Sequence, residues 1–520
     1  MEVRHLTDGA VLAGFPELPE LAANQAARAV ADGLSRESPA WLLDAIPAAR
    51  TLLVLFDPDR LAHVEVEKVL SRASAAPPQA PARTIRLPTC YGGEAGPDLE
   101  ELAKAAGLGA SELVRLHANA EHRVAFLGFA PGFPYMRGTP PELSLPRLAT
   151  PRVRVPARSV AVADGYTGIY PEESPGGWRL IGRVAATLFD PAGTPPSLLL
   201  PGDRALFDPI GPAELAAFEA ARRGEKSAAP PVEPILRVDK PGAFTVVQGG
   251  PRHGLGALGV IAGGAMDLAS LAVANDLAGN PAFTGALEAA VTGPELLLLA
   301  DTTFAVPGAL AQTRLDGNLV AGPGPHRGKK GARLSVGPIR GGFRAYLAFA
   351  GGLALPALGA PSRPLRSGDL VGRAQEPASR PFAAPRRIHV PREGAIELRA
   401  LPGPQWDFFT IEGRETFFSA PFRATTQSDR RGMRLDGPQL ELSRPSDIPP
   451  EGTAPGSVQV PGAGLPIILG PDRPVTGGYA KIATIISADL PLLAQARPGT
   501  MIRFSPATLE EALAARRDAT

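Results

Sequence analysis

The chain has 520 residues, 44% of them hydrophobic, with 53 basic against 52 acidic side chains and a net charge of +1. That length holds two to four domains with cores of their own, and so even a charge excludes an extended nucleic-acid or membrane surface. With 58 glycines, 58 prolines and one cysteine, the composition points to a loop-rich β protein that has no internal disulfide and tolerates a reducing compartment.

The first residues, MEVRHLTDGAVLAGFPELPE, lack a basic segment followed by an apolar one, and no run approaches a membrane span; the expected location is the cytoplasm. Residues 1–80 read as a small α+β domain. Helical periodicity covers 20–34, where Leu21, Ala22, Ala26, Ala29 and Val30 share a face, an apolar strand follows at 51–56, and a second amphipathic helix runs from about 61 to 73. AAPPQAPAR at 75–83 reads as a linker.

A strand at 84–87 opens the next domain, assigned to 84–222. A helix at 99–106 is closed by Gly107, and a second starts at Ser111, which is expected to cap it. Cys90 follows Pro88-Thr89 with no histidine close in sequence and reads as a passive thiol.

Residues 126–178, FLGFAPGFPYMRGTPPELSLPRLATPRVRVPARSVAVADGYTGIYPEESPGGW, interleave Gly and Pro with rings and arginines. So many backbone-fixing residues exclude a helix. Short β-branched runs at 153–155 and 159–163 read as strands. The expectation is a set of strands joined by stiff loops that carry Phe129, Phe133, Tyr135, Tyr166, Tyr170, Trp178 and nearby arginines into a pocket.

Residues 196–223 read as strand, turn, strand, helix, and the end of the chain repeats them. Pro201-Gly202, Phe207 and Pro209 have the spacing of Pro498-Gly499, Phe504 and Pro506, each set followed by an Ala-rich helix ending in Arg-Arg. Two domains of one fold are expected, separated by a charged, Pro-rich linker at 223–234. The second half is 235–520.

In that half, Gly254-Leu-Gly256-Ala-Leu-Gly259 has a dinucleotide fingerprint's spacing. The fingerprint needs a helix to begin inside the glycine turn, whereas 260–262 reads as continued strand and the helix starts only near Asp267. GPGPHRGKKGAR, from Gly322, fails phosphate-loop spacing and reads as a solvated basic loop. At Gly263-Gly264-Ala-Met-Asp267 two readings stand: free amides at a helix start that hold an anion, or Asp267 as a simple N-cap. Asn275 and Asn280 either face that pocket or cap the helix end. Asp429-Arg430-Arg431 and Asp472-Arg473 supply charge pairs in apolar surroundings. Gly477-Gly478-Tyr479-Ala480-Lys481 echoes Thr167-Gly168-Ile169-Tyr170, and Lys481 stands out because lysine is scarce here. There is no zinc spacing, HExxH, nucleophile elbow or biotin-carrier lysine.

GFAPGFPYM, TPR, VPARSVAVA and TGIYPEESPGGWRLIGR, in that order, resemble the B component of the bacterial ATP-dependent 5-oxoprolinase. ILRVDKPGAFTVVQGG, RAYLAFAGGLALP, SDRRGMRLDG and SVQVPGAGLPIILGPDRPVTGGYAKIA resemble its C component. The same family includes a sporulation kinase inhibitor with its antagonist and the carboxyltransferase part of urea amidolyase. The resemblance implies a mainly β fold with α: tandem cyclophilin-like β-barrel domains plus the small N-terminal α+β domain. It also implies ATP-dependent opening of 5-oxo-L-proline to L-glutamate by fused B and C components. A separate A-type subunit would be the partner, in an oligomeric assembly without nucleic acid or membrane. ATP, with or without Mg, would bind this chain or that partner. The alternatives are biotin-dependent carboxyl transfer to urea or a similar amide, and binding to a sensor kinase.

Ring opening of an inert lactam needs cations for phosphate and carboxylate and a base for water. Arg147, Arg152, Arg252, Arg430 and Lys481 are the candidate cations, and Asp267, Asp429 and Asp472 the candidate carboxylates. Gly263 and Gly264 would supply amides, and Tyr135, Tyr170, Trp178 and Tyr479 the pocket walls. One departure stands out: Gly249 occupies a position where the family tends to have Asp.

Overall fold

The computed structural model describes residues 1–73, 82–148, 150–223, 233–356, 358, 363–377 and 394–519. The linkers expected at 75–83 and 223–234 lie, but for their ends, outside these residues.

Strands Glu2–Thr7, Ala10–Gly14, Leu42–Pro47 and Thr51–Phe56 form an antiparallel sheet in the order first, second, fourth, third. The near-continuous apolar runs of Ala10–Gly14 and Thr51–Phe56, the two inner strands, follow from burial of both faces. One face takes helices Glu20–Glu37 and His63–Arg72, with Val11, Ala13, Leu52, Val54 and Phe56 against Ala27, Val30, Leu34, Val66 and Leu70. The other face, Leu6, Ala10, Leu12, Ile46, Leu53 and Leu55, packs on Ala454 and Val475 from the far end of the chain. Polar contacts fasten the same seam: the Ser487 amide donates to Asp8 Oδ1 at 3.0 Å, and Arg516 pairs with Asp59 at 2.9 Å.

Two closed seven-stranded barrels carry the rest of the architecture, as the tandem repeat predicted. Around the first run Tyr166–Ile169, Pro134–Arg137, His122–Leu127, Arg204–Pro209, Thr84–Tyr91, Arg179–Val184 and Ser159–Ala163; around the second run Ile467–Leu469, Gly432–Asp436, Phe422–Ala424, Met501–Pro506, Ile396–Pro402, Lys481–Ile485 and Ser457–Gln459. The cyclic order is the same. In each barrel the first and last strands run parallel, with Phe207 opposite Leu87 and Phe504 opposite Leu398. The repeated Pro-Gly turns match in backbone too, with φ of 100° at Gly202 and 92° at Gly499. Each barrel also extends a two-stranded ribbon: Arg152–Val155 with Ser174–Gly176, and Asp447–Gly452 with Thr476–Tyr479.

Between the barrels lies a third sheet, ten-stranded among the described residues, organised on the 17-residue strand Arg333–Phe349. Helix Leu268–Ala278 packs on it and is buried nearly all round.

Two local expectations are corrected. The helix expected from Ser111 spans Ala110–Asn119 with Gly109 at its cap, so Ser111 lies inside it. Residues 260–262 are not a strand. Leu258 makes one isolated bridge to Leu127, while Ile261 packs into the seam beneath the N-terminal sheet. These apolar side chains fill gaps between units, so periodicity misreads them.

Close backbone packing in the second barrel is testable at Gly413, inside helix Ile411–Ser419. A Cβ there would lie 3.0 Å from Glu441 N and closer still to Glu441 O. Alanine raises helix propensity by about 1 kcal/mol, yet Gly413→Ala is expected to destabilise the fold by about 1–3 kcal/mol through overpacking, read from denaturant midpoints.

Candidate functional site

The duplicated barrels can be aligned residue by residue through their ladders. In the first, Arg183 faces Ser159, Gly182 faces Val160 and Leu180 faces Ala161; in the second, Thr484 faces Ser457, Ala483 faces Val458 and Lys481 faces Gln459. Each ladder skips one residue at the same place. Tyr479 therefore corresponds to Trp178, and Gly477-Gly478 to Gly176-Gly177. This corrects the sequence echo with 167–170: those residues belong to a different strand, Tyr166–Ile169.

The two copies of this face differ in chemistry. In the first barrel Ala161 and Leu180 pack under Phe126, Phe133, Tyr135, Tyr166, Tyr170 and Trp178. The rings meet mostly edge to face, with Trp178 centred 5.6 Å from both Phe133 and Tyr135. The aromatic stretch thus fills its own pocket. Burial pushes the hydroxyls of Tyr135 and Tyr170 up, and that of Tyr166 to about 12, so they remain protonated.

In the second barrel the same positions are Gln459 and Lys481, and the face stays polar. Ser457 Oγ, Gln459 Nε2 and Thr484 Oγ1 are buried without a hydrogen-bond partner. Lys481 is 0% exposed, and its ammonium lies 2.5 Å from Glu451 Oε1 as an ion pair. Gln405 joins the two, donating to Glu451 Oε1 at 2.9 Å and accepting from the Lys481 amide at 3.1 Å. Orphaned polar groups at such density are uncommon in interiors and mark a place built for something else.

Glu451 and Gln405 form part of the wall of a cleft of about 380 Å³ between the N-terminal sheet and the second barrel, lined also by Arg4, Phe15, Arg50 and Phe408. On the ribbon, Gly478 lies beside Arg147, whose Nη2 would be 3.1 Å from a Cβ there. Gly128 of the first barrel lies against the Thr476 side chain of the same ribbon strand. The ribbon is thus shared between barrels, and Tyr479 on it is half-buried.

The other candidate residues fall elsewhere. Arg430 is buried and fully engaged: Nη1 meets Glu288 Oε1 at 2.7 Å, Nε meets Asp472 Oδ2 at 2.8 Å, and Nη2 donates to Asp472 Oδ1 and Gly264 O. Asp472 therefore pairs with Arg430 and not with its neighbour Arg473. Glu288 is held below its usual range: the Arg430 and Arg344 guanidiniums, the Met266 amide and the Tyr346 hydroxyl outweigh its burial. Burial raises Asp267, which caps its helix by accepting from the Ser270 amide at 2.9 Å and also accepts from Gln495. The anion at this helix start is internal: Glu288 takes the Met266 amide at 2.8 Å, and the Asp267 amide goes to Tyr346. Gly263 and Gly264 shape the turn before it, both at positive φ. Asn275 and Asn280 hold the loop after the helix, through Thr284 O and Phe349 O.

Asp429 is exposed and closes a turn onto the amides of Arg431 and Gly432. Arg152 pairs with Asp98 at 2.5 Å and Arg147 with Asp164 at 3.1 Å. Arg252 donates to Pro356 O at 3.0 Å. A Cβ on Gly249 would lie 3.1 Å from both Leu355 methyls and from Phe283 O, so those groups occupy the space an Asp would use. Cys90 is buried, and burial raises its thiol pKa, in keeping with a passive role.

Sequence reasoning missed Glu288, Arg344, Tyr346, Gln405, Glu451 and Gln459. The available signal was a lone charge in an apolar strand, as in Ala-Leu-Glu288-Ala-Ala and Arg344-Ala-Tyr346.

A further carboxylate sits where three units meet. Asp44 accepts from the Gly256 amide at 3.2 Å, and Arg473 bears on it from the second barrel. Burial pushes Asp44 up to about 6, against those amides and that cation. An acid raised by folding costs nothing while protonated, below about 3.8, and its full penalty, about 3 kcal/mol, once ionised above about 6. This group's contribution therefore falls as pH rises from 4 to 6.5, and Asp44→Asn is expected to flatten that slope in urea denaturation.

Comparison with known proteins follows the same division. The family model "Carboxyltransferase domain, subdomain C and D" matches residues 1–199, and "Carboxyltransferase domain, subdomain A and B" matches 258–506. The C-type subunit of 5-oxoprolinase from Escherichia coli K12 is 38% identical over 294 residues, 55% of this chain and 95% of that protein. The B-type subunit of 5-oxoprolinase from Bacillus subtilis is 35% identical over 232 residues, 42% of this chain and 96% of that protein. The crystal structure of TTHA0988 superposes with a TM-score of 0.82 at 36% identity, covering 97% of this chain and 100% of that one. Among the described residues, no helix is long and apolar enough to cross a membrane. The chain belongs to the family of B-type and C-type 5-oxoprolinase subunits, with a B-like half preceding a C-like half in one polypeptide.

Proposed function

We propose that this chain is the fused B and C component of an ATP-dependent 5-oxoprolinase that acts with a separate A-type subunit. The observation that carries the reading is the contrast between the barrels: the B-like copy of the site is filled by rings, and the C-like copy keeps a buried lysine, a carboxylate and two carboxamides.

A five-membered lactam is a poor electrophile. Transfer of the ATP γ-phosphoryl group to its carbonyl oxygen makes that oxygen a leaving group. A first water adds to the carbon and the C–N bond breaks, the nitrogen taking up a proton, which leaves an acyl phosphate; a second water then displaces phosphate, giving glutamate, ADP and phosphate. In this reading Gln405 and Gln459 orient the amide, Lys481 opposes developing negative charge, and Glu451 holds or receives the proton of water. Arg147, Arg152 and Arg252 are the candidate cations left half-buried.

ATP is assigned to the partner. Neither Gly254–Gly259 nor the 322–333 loop leads directly into a helix, and Lys329 of that loop pairs with Asp301 at 2.7 Å. The test is glutamate release from 5-oxoproline and ATP, which is expected only when chain and A-type subunit are mixed. The family models' carboxyltransferase description favours one other reading, carboxyl transfer from carboxybiotin delivered in trans. Turnover abolished by avidin would select it.

A further inference from the structure

The cleft beneath the N-terminal sheet has an unbalanced charge. Five ionisable side chains line it: Glu2, Arg4, Arg50, Asp407 and Glu451. Four of them have an opposite partner, Glu2 with Arg4 at 3.9 Å, Asp407 with Arg444 at 2.8 Å, and Glu451 with Lys481 at 2.5 Å. Arg50 has none among the described residues. Its Nη2 donates to Pro16 O at 3.0 Å and Leu18 O at 2.9 Å, which fixes the guanidinium without neutralising it. A positioned, unpaired guanidinium in a cleft is a carboxylate receptor.

The opposite wall is suited to an amide. The Ala49 amide donates to Pro450 O at 3.1 Å, so Arg50 and Glu451 each follow directly on one of two bonded residues, and both line the cleft. Gln405 offers a carboxamide beside Glu451, with the Lys481 ammonium behind. At about 380 Å³ the cleft falls in the lower range of small-molecule sites.

We infer that this cleft binds a small molecule carrying both a carboxylate and a planar amide, the carboxylate on Arg50 and the amide against Gln405 and Glu451. The inference deepens the proposed function and rests on it for the choice of probe, 5-oxoproline. It also assigns the N-terminal domain a direct part in binding, because Arg50 and the floor strands belong to it.

The full chain is titrated calorimetrically with 5-oxoproline, with proline, which lacks the amide, and with 2-pyrrolidinone, which lacks the carboxylate. Binding of 5-oxoproline is expected to exceed that of either fragment by at least about tenfold. Arg50→Ala is expected to weaken 5-oxoproline by about tenfold or more and leave 2-pyrrolidinone unchanged. A second variant avoids the carbonyls that Arg50 braces. Gly14 lines the cleft, and a Cβ there meets only Glu2 O, at 3.9 Å; Gly14→Leu keeps the fold, fills the space and abolishes binding of all three. If 5-oxoproline fails to bind the chain, or binds Gly14→Leu as well as wild type, the inference is overturned. Turnover with the A-type subunit separates the two ideas. Turnover that survives in Gly14→Leu sinks the cleft and leaves the function, whereas cleft-dependent binding without turnover in the mixed complex sinks the function and leaves the site.

Discussion

Arg430→Met is expected to lower the stability of the chain by about 3–5 kcal/mol, the usual cost of removing one partner from a buried ion pair. Glu288 is 0% exposed and would lose its nearest cation, while Asp472 and Gly264 O would lose theirs. Arg344 would not substitute well, since its Nε lies 3.5 Å from Glu288 and its Nη1 is committed to Ala494 O. Thermal and urea unfolding should show the loss. Adding Glu288→Gln should recover a large part of it, because the stranded charge and not the missing contact carries most of the penalty. A loss in the single variant below about 1 kcal/mol, within the range of exposed pairs, would mean that water reaches Glu288.

Lys481 separates stability from activity. Lys481→Met leaves the Glu451 carboxylate without its cation, and 5-oxoproline turnover with the A-type subunit is expected to fall by about 10²-fold or more. The cleaner test converts the second barrel's face into a copy of the first: Gln459→Ala with Lys481→Leu, and Glu451→Gln so that no charge is stranded. That chain replaces buried, unpartnered polar groups with the residue types that already pack at Ala161 and Leu180. It should unfold at or above the wild-type midpoint and be inactive. Turnover within a factor of two of wild type would remove this face from the mechanism.

What the sequence made legible was local. The repeat was visible because Pro-Gly, Phe, Pro and helix follow one another within one strand, turn and helix, so their spacing survives in both copies. Asp267 as a helix cap is legible in the same way, since its geometry needs only the next three residues. The remainder depended on long-range pairing. Arg430 finds Glu288 across 142 positions and Asp472 across 42, while the adjacent Asp429 and, for Asp472, the adjacent Arg473 offered plausible but wrong partners. The echo of Tyr479 with 167–170 matched composition and missed register, because a one-strand error looks the same in a run of glycines and rings. Residues 260–262 read as strand because apolar side chains that plug gaps between units carry no period of their own.

The seam that joins Asp8 to Ser487, Asp59 to Arg516 and Leu53 to Ala454 brings the N-terminal sheet against the second barrel and the helix that follows it. The two halves are thus joined twice, once by chain continuity and once by contact at this seam. Nicking the backbone between the halves would break only one of these closures. Two separately translated pieces are expected to associate through the same buried surface, which co-purification of the two halves would check.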